Sequence, residues 1–160
     1  MPAPLARVLE ACEAARTEIL ALLPVPDPAG TVVERVYTFR GPENEPRIRS
    51  LLGRRVYLFP DAYRQKAIID RGIDATDYVV TVLVAEVYRG AEAVPPNAWL
   101  DERVTFVDTL YRRLQDARAG LIGGAFTAQD GEVVSVYDQD VLDQHKTFWS
   151  YGQFTLRLYE

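Results

Sequence analysis

The residues best equipped for chemistry lie close together near the C-terminal end. The stretch "YDQDVLDQH", 137 to 145, holds Asp138, Asp140, Asp143 and the chain's one histidine, His145, with Ser150 five residues further on. A serine, a histidine and an aspartate could pass a proton and raise a nucleophile. That chemistry is set by spatial geometry rather than by nearness along the chain, and no G-x-S-x-G elbow presents a serine here. A lone histidine in a polar stretch reads more simply as a surface or hydrogen-bonding residue. The three aspartates invite a comparison with a calcium loop. Such a loop needs an oxygen ligand where Leu142 stands, a glycine at its turn and a closing glutamate, and this stretch supplies none of them. "GLIGG" at 120 to 124 follows a predicted helix instead of a strand and lacks the lysine and hydroxyl of a phosphate-cradling loop, so it reads as a hinge or turn. Cys12 falls on the apolar side of a predicted helix, where it serves as a small hydrophobe. Trp99 and Trp149 flank polar segments without interleaved basic residues and read as core-edge packing, not as platforms for bases.

The totals exclude several classes. The 160 residues fit one domain, 1–160, and a hydrophobic fraction of 48% supplies a sizeable core. A formal charge of -5 argues against tight nucleic-acid binding, which needs clustered Lys and Arg to displace counterions. One cysteine and one histidine permit neither an internal disulfide nor a Cys/His zinc cage. Glu10, Glu13 and Glu18 interrupt the apolar residues of the N-terminal stretch, which therefore reads as a helix of the mature protein and not as a signal peptide. No apolar run approaches the roughly 18 residues that span a bilayer. The expectation is a soluble chain with no cofactor, no metal and no membrane partner.

The elements follow from periodicity. Leu5, Val8, Leu9, Cys12, Ala15, Ile19 and Leu22 recur at helical spacing, with Arg7 and Glu10 close enough to pair on the other side. "PVPDPAG" ends that helix, and a strand is expected over Thr31 to Phe39. "RGPENEPRIRSLLG" reads as a loop before the strand "RRVYLF". From Asp77 to Tyr88 both faces of a strand are apolar, which places it in the middle of a sheet. Asn97 is a plausible N-cap for a second helix whose seam is Leu100, Val104, Val107, Tyr111 and Leu114. "DARAGLIGGAFTAQDGE" reads as a long flexible connection, and "EVVSVY" and "FWSYGQFTLRLY" as two closing strands joined by the polar stretch "DQDVLDQHKT". The order predicts an α+β fold, two helices packed on a mainly antiparallel β-sheet of about five strands, with a long extension between central strands.

That extension, Asp61 to Thr76, looks like an interruption of the sheet. It mixes Arg64, Lys66, Asp70, Arg71 and Asp74 with Ile68 and Ile69. A solvated β-hairpin connection would explain the charges. A contact between identical subunits would explain the charges and the branched apolar residues together. These seven residues are the candidate subunit-interface set.

"RVYLFPDAYRQ", "DYVVTVLVAEVYRGAEAVPPNAWLDERVTFVDTL" and "VYDQDVLDQHKTFWSYGQFTLRL" together resemble the tail terminator (tail completion) proteins of long-tailed bacteriophages and prophages, over most of the chain. The resemblance implies a structural virion protein with no catalytic residues. It implies a homo-hexameric ring at the head-tail interface that caps the tail tube, binds the tail tube protein and the head-tail connector protein, and lets DNA pass through its channel. In that family the extension reaches outward toward adjoining subunits. The alternatives are a head-completion or connector subunit of the same machine, a small hydrolase using His145, and a ligand-binding domain with an aromatic pocket from Trp149, Tyr151 and Phe154.

Overall fold

The computed structural model describes residues 4–37, 51–70, 73–129 and 132–159. Helix α1, Pro4–Leu22, lays Val8, Ala11, Cys12, Ala15 and Ile19 against the sheet, all of them buried. Four of these five positions were visible as an apolar seam. Three of the five are Ala or Cys, so the helix axis comes close to the strands beneath it. Arg7 pairs with Glu10 at 3.2 Å on the outer side, as their spacing predicts.

The sheet has six strands: β1 (Val32–Arg35), β2 (Arg55–Asp70), β3 (Ile73–Val87), β4 (Thr127–Ala128), β5 (Glu132–Ser135) and β6 (Thr147–Tyr159). Their order is β1-β2-β3-β6-β4, with β5 also paired to β6. β1 and β2 run parallel, and the remaining pairs are antiparallel. The expected α+β architecture with a mainly antiparallel sheet is the one observed. β3 lies between β2 and β6, the central place its doubly apolar pattern required.

One face of the sheet carries Val56, Leu58, Tyr78, Val80, Val82, Val84, Phe148, Phe154 and Leu156, buried together with the inner sides of α1 and of helix α2, Asn97–Gln115. α2 contributes Val107, Leu110, Tyr111 and Leu114. The opposite face carries a smaller cluster of Leu51, Tyr57, Leu83, Ala85 and Trp149, closed by Val141 of helix α3, Gln139–His145.

Several boundaries differ from the sequence reading. "DQDVLDQHKT" is not a plain connection, because α3 forms within it. The Asp138 side chain accepts from the Val141 amide at 3.1 Å, Val141 and Leu142 are buried, and Lys146 closes the helix in the left-handed region. The segment after α2 is held down by Ile122 and Phe126, buried at 0% and 3% exposure and bridged to each other across the glycine turn. Gly123 needs its φ of +59° there, and a Cβ at that position would come within 2.5 Å of the Ala14 Cβ. Pro96, not Asn97, holds the N-cap position of α2, in extended conformation and without a side-chain cap. No helix among the described residues is long and apolar enough to cross a membrane.

Candidate assembly surface

Asp61 to Thr76 does not interrupt the sheet. β2 and β3 form one long hairpin with two ladders. The inner ladder pairs Arg55 through Asp61 with Ala85 through Val79, and the outer one pairs Lys66 through Asp70 with Asp77 through Ile73. Between them residues 62–65 of β2 stand opposite Tyr78 alone, a large bulge. The charged composition had argued for a break, but polar residues suit a strand that meets water on one side.

The three strands differ in how far they accompany one another. β6 runs beside β3 as far as the Ala75–Tyr159 pair, so the extension is backed by a third strand almost to its end. β1 stops early: it pairs only with Arg55 through Leu58, and the Val36 amide adds a last bond to the Leu58 carbonyl at 2.9 Å. Past that point no other strand among the described residues pairs with the outer side of β2. Pro60 sits just beyond the end of β1, in keeping with an edge position, since a proline in a strand paired on both sides would cost a ladder bond. The outer ladder adds about 15 Å of edge at the usual strand rise.

The root of this arm is fastened by charge. Asp77 and Arg157 are cross-strand partners, and both oxygens of the carboxylate are engaged, Nε donating at 2.7 Å and a terminal guanidinium nitrogen at 3.1 Å. Hydrogen bonding to Asp77 and then to Tyr159 raises the Arg157 pKa further above its already basic value. A bidentate pair of this kind fixes direction as well as distance.

Six of the seven interface candidates fall on this arm. Arg64 is in the bulge, Lys66, Ile68, Ile69 and Asp70 are in the outer ladder of β2, and Asp74 of β3 pairs with Ile69. Arg71 lies outside the described residues, as do the side chains at 61–70, 73 and 74.

The rival sites do not come together. His145 ends α3, where its carbonyl accepts from the Thr147 hydroxyl at 2.9 Å. Ser150 is fully buried and engages the Tyr111 hydroxyl at 2.8 Å and the Ser135 carbonyl at 3.1 Å. Asp138 is committed to capping α3, and among the described residues no hydrogen bond or ion pair joins His145 to Ser150 or to these aspartates. The aromatic pocket is divided by the sheet: Phe154 packs on Tyr111 at 5.0 Å beneath α2, while Trp149 and Tyr151 belong to the cluster on the other face. Among the described residues no group of three His, Cys, Asp or Glu is arranged to hold a metal ion. A groove of about 550 Å³ runs beside α1; of its charged residues Glu13 and Arg35 face each other at 3.8 Å and Glu10 pairs with Arg7 at 3.2 Å.

One polar constellation escaped the sequence reading. Glu86, 5% exposed at the C-terminal end of β3, accepts from the Arg103 Nε of α2 and faces the Arg54 Nε, 5% exposed in its residue total, at 3.6 Å. The two guanidiniums also lie over aromatic rings, Arg54 over Phe106 at 4.1 Å and Arg103 over Trp99 at 4.2 Å. Burial lowers the Arg54 pKa. The available signal was a lone acid in the run "VVTVLVAEV", which demands a buried cation. This cluster ties the residue just before β2 to β3 and α2 on the helical side of the sheet. Neither a scan against protein-family models nor a search of curated proteins finds a match for the chain.

Proposed function

We propose that the chain is a structural assembly subunit, a tail terminator of a long-tailed bacteriophage that closes into a homo-hexameric ring, caps the tail tube and joins it to the head connector in the virion. The observation that carries this reading is the β2–β3 arm, whose outer strand runs on past β1 with a backbone edge that no other described strand pairs, and whose root is pinned by Asp77 and Arg157. An open edge of this length invites pairing with another chain and is a feature that stable monomers suppress. The resemblance of the sequence to tail terminators supplies the identity of the ring. The net charge of -5 suits a channel through which DNA slides without being gripped.

Electron microscopy and native mass measurement of the concentrated chain, alone and mixed with phage tail tubes, test this reading. The expected result is a six-membered ring that sits on tube ends. A chain that stays monomeric under both conditions overturns it. Capture by portal-bearing heads with no affinity for tubes would replace the terminator with a connector subunit.

A further inference from the structure

Away from the arm, the sheet is bordered by short strands, β1 on one side and β4 and β5 on the other. Alternation along each strand fixes which backbone groups turn outward. The Val32 amide donates to the Arg54 carbonyl at 3.0 Å and the Val36 amide to the Leu58 carbonyl at 2.9 Å. Val32, Glu34 and Val36 therefore face β2, and the amides and carbonyls of Val33 and Arg35 face away from it. On the far side the Gln129 amide donates to the Thr155 carbonyl of β6 at 2.9 Å, so Ala128, one residue earlier, turns its own amide and carbonyl outward. Left bare, such groups are a template for the strand of another chain.

The outward carbonyls of Val33 and Ala128 already have donors. Arg16 of α1 reaches the β1 edge, where its Nε donates to the Val33 carbonyl at 3.1 Å, while its Nη1 lies 3.8 Å from Glu13 one turn back on the same helix. Gln129 folds its side-chain amide back along its own strand and donates to the carbonyls of Ala128 at 3.1 Å and Thr127 at 3.3 Å. β5 is spoiled differently: its register slips between Val133 and Ser135, and a bulged strand makes a poor template. Neither the Arg16 nor the Gln129 side-chain bond belongs to the ladders that join β1 to β2 and β4 to β6, so their effect falls on whatever else could pair there. We propose that Arg16 and Gln129 guard the edges of the core: their donors hold the outward carbonyls of β1 and β4, and copies of the chain are thereby kept from joining sheet to sheet along it. This guarding goes beyond the assembly reading above and holds whether or not the arm closes a ring.

Sedimentation velocity over a concentration series, with hydrogen exchange on the same samples, tests this in Arg16→Ala, Gln129→Ala and the double variant. Each is expected to shift toward larger species as concentration rises, beyond whatever the unsubstituted chain forms, and the double variant to shift furthest. In the associated material, new protection is expected at the Val33 and Arg35 amides of Arg16→Ala and at the Ala128 amide of Gln129→Ala. Glu13→Gln removes the ion pair of Arg16 but leaves its guanidinium on the Val33 carbonyl, and is expected to sediment as the unsubstituted chain does. Variants that keep the unsubstituted profile overturn the proposal. Association without protection of those amides also overturns it, because the contact then lies elsewhere, and equal association in Glu13→Gln does so because the effect then answers to surface charge. Association that accompanies loss of the cooperative urea transition is misfolding and counts against guarding in the same way.

Discussion

At the scale of single residues, the most consequential side chain is Glu86. It is the shared counter-charge of two guanidiniums, one of them almost wholly removed from water. Replacing all three members of such a group with apolar residues can be neutral, but removing the carboxylate alone strands buried positive charge. Glu86→Gln is expected to lower unfolding stability by about 3–5 kcal/mol, read as a reduced urea midpoint with an unchanged slope. Sequence periodicity exposed the apolar faces around this residue because they repeat. It did not expose the cluster, because Arg54, Glu86 and Arg103 come from three separate places in the chain, the entry to β2, β3 and α2, whose mutual placement has no periodic trace. Cys12 was legible for the opposite reason, lying on a helix face whose pattern alone buries it.

At the scale of elements, the long and strongly patterned ones could be read directly: α1, α2, β3 and β6 fall where their apolar spacing puts them. The misses are of two kinds. α3 is seven residues long and depends on the Asp138 cap and on burial of Val141 and Leu142, a tertiary contribution that local polarity conceals. The arm was mistaken for a break because its charge content contradicts strand propensity, while its pairing is imposed by β3 and β6 beside it. Its candidate residues could therefore be named from composition, but the existence of a strand edge could not. The Asp77–Arg157 pair holds the arm's root, and charge-assisted bonds of this type contribute about 1.5–3 kcal/mol. Asp77→Asn should accelerate hydrogen exchange at Thr76 and Leu158 by roughly tenfold or more, while amides from Val80 to Val84 keep their protection. Equal acceleration in both regions would show that the arm and the core open as one unit.

At the scale of the whole molecule, the sheet divides into a core, sealed by helices on one face and by α3 on the other, and an arm that contributes edge more than interior. Replacing residues 67–76 with a two-residue Asn-Gly turn is expected to leave the circular dichroism spectrum and cooperative unfolding in place and to abolish ring formation in sedimentation. Loss of folding in that variant would mean that the arm belongs to the core. The bulge at 62–65 gives this division a further meaning. The inner ladder is held in register by the buried strands, the outer one by its own pairs from Lys66–Asp77 to Asp70–Ile73, and four residues facing a single partner take up the difference. The bulge thus works as a slip joint: a residue gained or lost there would disturb neither ladder, and the arm could be refitted to a new neighbour while the core stayed as it is.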